Sequence, residues 1–104
     1  EDRDAAAGLI SAAQDWLQKQ RRGWRPRLES EAGYNEVSTF AVCRLAFGRP
    51  FVDRERGRIY ARGVLSLQDR LDLTHEYLHL AFEAHPNGQD ETYIEGLARH
   101  LLLE

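Results

Sequence analysis

The residues best suited to chemistry lie in one short run, Thr74-His75-Glu76-Tyr77-Leu78-His79-Leu80. Histidines at positions i and i+4 of a helix point the same way, so His75 and His79 can hold one Zn²⁺ between their imidazoles. A glutamate directly after the first histidine lies beside them, and Glu76 can therefore take a proton from a zinc-bound water. The run predicts a zinc centre with Glu76 as general base.

The residues around this run predict a buried helix. Apolar side chains occupy two sides of it, at Leu67, Leu71, Leu78 and Phe82 and at Leu73, Tyr77 and Leu80. A helix that is apolar on nearly every face is buried, and buried histidines and carboxylates need polar partners, which a metal supplies. The alternative is a helix with two hydrogen-bonded core histidines and a surface glutamate.

A hydrolytic zinc site has three protein ligands and an open fourth position, so a third ligand is required. The residues themselves leave three candidates open. His85 follows His79 at the metzincin spacing, but Phe82 stands where that family has the glycine that turns the chain. Glu91 and Glu95 lie beside the apolar stripe of the following helix, and either can face inward.

The elements that must position these residues predict an α+β fold. An amphipathic helix is expected from about Asp4 to Gln20, ended by Gly23 and Pro26. Two or three strands follow between Val37 and Ala61, expected to be antiparallel, with a hairpin turn at Asp53-Arg54-Glu55-Arg56-Gly57. Ser66 caps the histidine-bearing helix with Asp69 as the third residue of a capping box, and Pro86-Asn87-Gly88 ends it near Ala84. A last helix begins near Asp90 and runs to the end of the chain.

Length and composition indicate one domain over residues 1–104, with no room for a separate substrate module. The net charge of −3 and the scattered basic residues exclude a nucleic-acid footprint, and the cluster around Arg21 and Arg25 is interpreted as a solvated helix end. The one cysteine, Cys43, has apolar neighbours and is expected to be a buried small hydrophobe. No apolar run is long enough to span a membrane. The start at Glu1 and the absence of methionine predict a chain that is either processed or cut from a longer protein.

The run Thr92-Tyr93-Ile94-Glu95-Gly96-Leu97-Ala98 resembles the second signature of the gluzincin peptidases. That signature reads approximately Asn-Glu-Gly-Phe-Ala in the zinc aminopeptidases, and its glutamate is the third zinc ligand. The resemblance covers about 35 residues, from Asp69 to Leu103, with Ile94 in place of the usual Asn and a shorter gap after His79. It implies His75, His79 and Glu95 as zinc ligands, a minimal zincin-like fold and peptide or protein substrates.

The stretch from Cys43 through Gly48-Arg49-Pro50 to Arg62-Gly63, followed by the zinc helix, is similar to an uncharacterised bacterial family of predicted secreted proteins. Genes of that family often lie beside those of bacterial alpha-macroglobulins. The similarity implies a periplasmic or secreted setting and an alpha-macroglobulin-associated system, but no known activity.

The resulting hypothesis is zinc-dependent peptide-bond hydrolysis, for which the developing oxyanion needs a second electrophile besides zinc. Candidates in the sequence are Tyr60, Tyr93, Arg99 and His100. Residues 59–64 are expected to form the edge strand that pairs with an extended substrate. The competing hypothesis is a non-catalytic zinc-binding or interaction module within a larger envelope protein, although an intact Glu76 favours the enzyme.

Overall fold

In the part of the chain that the structure describes, three helices and a three-stranded mixed sheet build the fold, which confirms the α+β class. The computed structural model describes residues 10–45 and 47–104. The elements are α1 (Ser11–Leu28), β1 (Ala41–Arg44), β2 (Phe51–Asp53), β3 (Arg58–Ala61), α2 (Leu67–Ala81) and α3 (Glu91–Leu103). Within the described ranges, no helix combines the length and apolarity that crossing a bilayer requires.

The first helix differs from its predicted bounds. The part expected before residue 10 lies outside the described residues, and α1 continues through Gly23 and Pro26 to Leu28. Trp24 and Leu28 continue the buried stripe of Leu17, and the Trp24 ring lies 6.0 Å from that of Tyr77. Burial of these side chains stabilises the last turn by more than the roughly 3 kcal/mol that an interior proline costs.

The arginines at this end of α1 are solvated as expected, with the exception of Arg21. Arg22, Arg25 and Arg27 are exposed. Arg21 is buried and pairs with Glu36, which also accepts two hydrogen bonds from Arg25. These pairs hold the loop after α1 against the helix.

The sheet is mixed, and the prediction of an antiparallel sheet was wrong in one strand pair. β2 and β3 form the expected antiparallel hairpin, with Gly57 at φ +66° in its turn. β1 pairs with the other side of β3 and runs parallel to it, with Val42 beside Ile59. β3 is therefore the central strand, which corrects the expectation of an edge at residues 59–64. The outer strands are β1 and β2, and the outer edge of β1 is covered by Ile10 and Gln14, which bond the carbonyl oxygen and the amide of Val42.

Helix α2 begins with the predicted capping box. The Asp69 amide donates to Ser66 Oγ at 3.0 Å, and the Ser66 amide faces Asp69 Oδ2 at 3.4 Å. The helix ends at Ala81, three residues before the predicted end. Its apolar sides pack into the core against α1, β3 and α3, where Leu73, Tyr77 and Leu78 have no exposed surface. The helix is thereby fixed, with one remaining side open to a cleft.

A connection of nine residues, 82–90, joins α2 to α3. The Asp90 side chain caps α3 by accepting hydrogen bonds from the Thr92 and Tyr93 amides. Ile94, Ala98 and Leu101 form the buried stripe of α3. Because both helices are anchored in the core, the flank of α3 that carries Glu91 and Glu95 is held against α2.

Candidate metal centre

Helices α2 and α3 bring both histidines and two glutamates together. His75 and His79 lie one turn apart on α2, and their Nε2 atoms are 3.1 Å apart. The Oε1 atom of Glu91, from α3, lies 2.6 Å from His75 Nε2 and 3.2 Å from His79 Nε2. One oxygen and two ring nitrogens thus converge on a point between the two helices.

The Nδ1 atoms of both rings face groups that can only accept a hydrogen bond. His79 Nδ1 donates to the carbonyl oxygen of Gly88 at 2.9 Å, and His75 Nδ1 donates to Glu95 Oε1 at 2.8 Å. The Gly88 carbonyl has no proton to give, so a neutral His79 carries its hydrogen on Nδ1. His75 faces a carboxylate oxygen at each nitrogen, so either neutral tautomer leaves one of its nitrogens against an acceptor. With the His75 hydrogen on Nδ1, toward Glu95, both Nε2 lone pairs point toward Glu91.

Three acceptor atoms that converge in this way require a cation. Either one imidazole takes up a proton or a metal ion binds between them. Neighbouring ligands of a tetrahedral zinc with bonds of about 2.0–2.1 Å lie about 3.3 Å apart. The distances from His79 Nε2 to His75 Nε2 and to Glu91 Oε1 are already within about 0.2 Å of that value. Only the 2.6 Å distance between His75 Nε2 and Glu91 Oε1 has to increase. The residues therefore fit a zinc ion.

Glu95, which the gluzincin resemblance implied as third ligand, lies on the other edge of the His75 ring. Its Oε1 accepts from His75 Nδ1, and its Oε2 accepts from Arg99 Nε at 2.8 Å. A carboxylate in this place orients a metal-binding histidine and increases its basicity. The geometry favours Glu91 as the third ligand. The assignment to Glu95 stays a prediction.

The remaining candidates take part in other contacts, and Arg99, which pairs with Glu95, is the one that lines a pocket together with His75 and Glu91 among the described residues. His85, whose Nδ1 accepts from the Asn87 amide, stacks on Tyr93 with the ring centres 5.1 Å apart. Of the suggested second electrophiles, Tyr60 stacks on Phe51 and His100 pairs with Glu104. Neither residue lines the cleft described next.

The side chain of Glu76 lines a cleft of about 590 Å³ beside His75. Burial raises the pKa of its carboxyl group to about 7, against the lowering effect of the two histidines. None of the described residues is hydrogen-bonded to this carboxyl group. Its proton affinity and its opening to the cleft are the properties that a general base requires.

The pKa values of His75 and Glu91 are shifted in opposite directions by their contact with each other. Burial alone would lower the pKa of His75, but the hydrogen bonds to Glu91 and Glu95 raise it above its ordinary value. Burial alone would raise the pKa of Glu91, but the hydrogen bonds and charges of the two histidines together have the larger effect and lower it. Glu91 is therefore ionised where a cation would bind.

Arg49 also lines this cleft, although nothing in its sequence neighbourhood marks it as a functional residue. It lies 26 positions before His75, in the loop between β1 and β2, and no spacing connects the two residues. Only the packing of the sheet beside α2 brings them to the same cleft.

The fold and this site define an α+β domain whose last two helices form a His/Glu cluster of metal-ligand type. The chain belongs to the family described as "Predicted secreted protein (DUF2300)", which matches residues 2–87. The matched range includes His75, Glu76 and His79 and ends before Glu91. This confirms the predicted family of uncharacterised secreted proteins, and its description agrees with the expected secreted setting.

A relative in Escherichia coli (strain K12) is similar over most of the chain. It is the "Uncharacterized protein YfaQ", 54% identical over 96 residues, which are 92% of this chain. The chain spans 18% of the length of that protein. No solved structure matches the chain.

Proposed function

We propose that this domain is a zinc-dependent hydrolase of peptide bonds. The observation that carries the proposal is the convergence of the two Nε2 lone pairs and the Glu91 carboxylate, next to a carboxyl group that has no hydrogen-bond partner among the described residues. A structural zinc site has no use for such a group, whereas a hydrolytic site needs a base. The gluzincin resemblance supports peptides as the substrates.

His75, His79 and Glu91 would hold the ion, and Glu95 would fix the His75 ring. When bound, zinc supplies a Lewis acid for the scissile carbonyl and lowers the pKa of the attacking water. Glu76 accepts a proton from that water as the C–O bond forms. It then gives the proton to the leaving nitrogen as the C–N bond breaks. In the metal-free chain burial raises the pKa of this carboxyl group to about 7, and a bound zinc ion would lower it, so that the group would be ionised and able to accept a proton.

The test begins with metal content and affinity. The zinc-loaded chain is expected to hold one zinc, and His75→Ala and His79→Ala are expected to lose it. His85→Ala is the matched control, since it removes an imidazole from the same region without touching the cluster. One zinc per chain in the double variant His75→Ala/His79→Ala would place the metal elsewhere.

The second part of the test separates an enzyme from a binding module. Glu76→Gln keeps the size of the side chain, so zinc binding and folding should persist while hydrolysis of a peptide library falls at least about a hundredfold. Equal cleavage by the wild type and Glu76→Gln would remove Glu76 from the mechanism. Zinc binding without cleavage by the wild type, including the longer parent protein, would favour the non-catalytic module.

A further inference from the structure

The cleft beside His75 has a strongly uneven charge distribution. Its α2 and α3 sides carry four carboxyl groups, those of Asp72, Glu76, Glu91 and Glu95. The opposite rim is formed by Arg49 and Pro50, and among the described lining residues Arg49 is the one arginine or lysine. A ligand in this cleft lies between an acidic wall and a single guanidinium.

The acidic wall has partners within its own helices. Glu91 lies against both histidines, and Glu95 pairs with His75 and Arg99. Asp72 Oδ1 accepts a hydrogen bond from Gln68 Nε2 at 2.9 Å. None of these carboxylates forms an ion pair with Arg49 among the described residues. Arg49 is exposed, and its guanidinium is therefore available to a ligand.

The backbone around Arg49 is held in place. Arg62 donates a hydrogen bond to the carbonyl oxygen of Gly48, and the Leu45 amide donates one to the carbonyl oxygen of Ala61 at 2.9 Å. On the other side, Pro50 leads directly into β2, whose Phe51 pairs with Tyr60 in the sheet. The loop thus positions Arg49 at the rim from both ends.

We propose that Arg49 is a specificity residue that binds a carboxylate of the peptide substrate. A guanidinium presents parallel N–H donors that match a carboxylate, and a charge-assisted pair of this kind is among the stronger polar contacts. Apart from the proposed zinc ion, Arg49 is the one cation-bearing group among the described residues lining the cleft that would attract a carboxylate, and the carboxylates opposite would disfavour one along their wall. Binding at Arg49 would therefore help to orient the substrate. This inference rests on the proposed hydrolysis and names its substrate class, which is peptides with a carboxylate next to the scissile region.

The test compares zinc-loaded proteins on three N-acylated peptides. One has a free C-terminal carboxylate, one has a C-terminal carboxamide, and one has a carboxamide with an aspartate side chain. The wild type should cleave a carboxylate peptide with a kcat/KM about 10- to 100-fold above that of the plain amide. The preferred carboxylate shows whether the terminus or a side chain is bound. In Arg49→Ala the preference should disappear, and in Arg49→Lys it should be partly kept.

Arg54→Ala is the matched control, because it removes the same charge from the nearby hairpin turn, outside this cleft. It should keep the preference of the wild type. High salt should reduce the preference, since exposed charge pairs are screened. An unchanged preference in Arg49→Ala, or equal cleavage of all three peptides by the wild type, would overturn the inference.

A binding measurement separates this inference from the proposed reaction. Zinc-loaded Glu76→Gln should bind the carboxylate peptides more tightly than the amide in calorimetry, and the additional Arg49→Ala change should remove the difference. If the binding difference is found but the wild type does not cleave, the proposed hydrolysis fails while the role of Arg49 stands. If the additional Arg49→Ala change leaves the binding difference intact, the role of Arg49 fails.

Discussion

At the scale of single residues, the protonation of two imidazoles decides what the site can bind. When the Gly88 carbonyl and the Glu95 carboxylate each accept a hydrogen bond from one Nδ1, both Nε2 atoms of the neutral rings are acceptors. A core histidine with a structural role would use at least one nitrogen to donate and the other to accept from a neighbour. Here the accepting nitrogens of His75 and His79 face each other and a third acceptor.

The two glutamates of α3 should therefore respond differently to replacement. Glu91→Ala removes a proposed ligand and should weaken zinc binding by orders of magnitude, whereas Glu95→Ala should weaken it about 10- to 100-fold, as loss of an orienting partner does. Competition with a chromophoric chelator measures both affinities. Glu83→Ala, an exposed carboxylate outside the cluster, serves as control. A larger loss in Glu95→Ala than in Glu91→Ala would restore Glu95 as the ligand.

Glu76 gives a pH-dependent prediction for the metal-free protein. Its pKa is about 7 in the folded chain and about 4.3 in the unfolded one, so the folded state holds the proton more tightly. The free energy of unfolding should therefore fall as pH rises from about 4 to 7, and Glu76→Gln, which has no proton to lose, avoids this loss. In chelator, the variant should match the wild type near pH 4 and exceed it by about 1–3 kcal/mol at pH 8. Urea titrations at both pH values measure this, and an equal difference at the two would contradict it.

At the scale of elements, the turn between α2 and α3 places the ligands. Gly88 is buried, its amide donates to the His85 carbonyl, and its own carbonyl accepts from His79. A Cβ atom at this position would overlap the carbonyl oxygen of Phe82. Since backbone cannot yield as a flexible side chain does, only glycine allows the chain to pass this close to the end of α2.

Replacement of this glycine should affect both stability and metal binding. We expect Gly88→Ala to destabilise the fold by about 2 kcal/mol or more, because the overlap is with backbone, and to lower zinc affinity by moving the acceptor of His79 Nδ1. Gly96→Ala is the matched control. A Cβ there meets nothing within 4 Å, and alanine in an exposed helix position should stabilise by about 0.5–1 kcal/mol. Thermal unfolding and zinc titration of both variants test this, and equal behaviour of the two would contradict it.

At the scale of the whole molecule, one core anchors both ligand-bearing helices. α2 packs against α1 through Trp24 and Tyr77 and against the sheet through Phe40, whose ring lies 5.7 Å from that of Tyr77. α3 joins the same core through Ile94 and Ala98. A metal held between α2 and α3 therefore stabilises the fold itself, because the ligands come together only when both helices are packed.

Zinc should accordingly raise the unfolding temperature. At free zinc about 100-fold above Kd, the folded state gains about 2.7 kcal/mol. For a chain of 104 residues this corresponds to a rise in Tm of roughly 10 °C or more. The shift should be absent in His79→Ala and present in His85→Ala. An equal shift in His79→Ala would mean that the stabilising ion binds outside the cluster.

Much of the site's chemistry was readable in the sequence because it depends on local geometry. The i and i+4 spacing of His75 and His79, the adjacent Glu76 and the cap at Ser66 all act within one helix, where periodicity determines direction. The hairpin turn ending in Gly57 and the start of α3 after Asp90 were also predicted correctly for this reason. The limits of α1 were not, because Gly23 and Pro26 indicate a helix end by local preference and burial of Trp24 overrides it.

The features that depend on how distant segments pack could not be predicted. Glu91 and Glu95 are one turn apart on the same flank of α3, so their spacing cannot show which of them reaches the Nε2 atoms. The position of α3 depends on the close contact between the backbone of Gly88 and that of Phe82. The alternation of side chains in β1 is the same for either strand direction, and only its place beside β3 makes the pair parallel. Arg49 reaches the cleft because the sheet packs against α2. The sequence by itself thus determined the helix, its two histidines and the adjacent glutamate. The tertiary structure decided which carboxylate and which arginine face them, since those contacts arise from packing between elements.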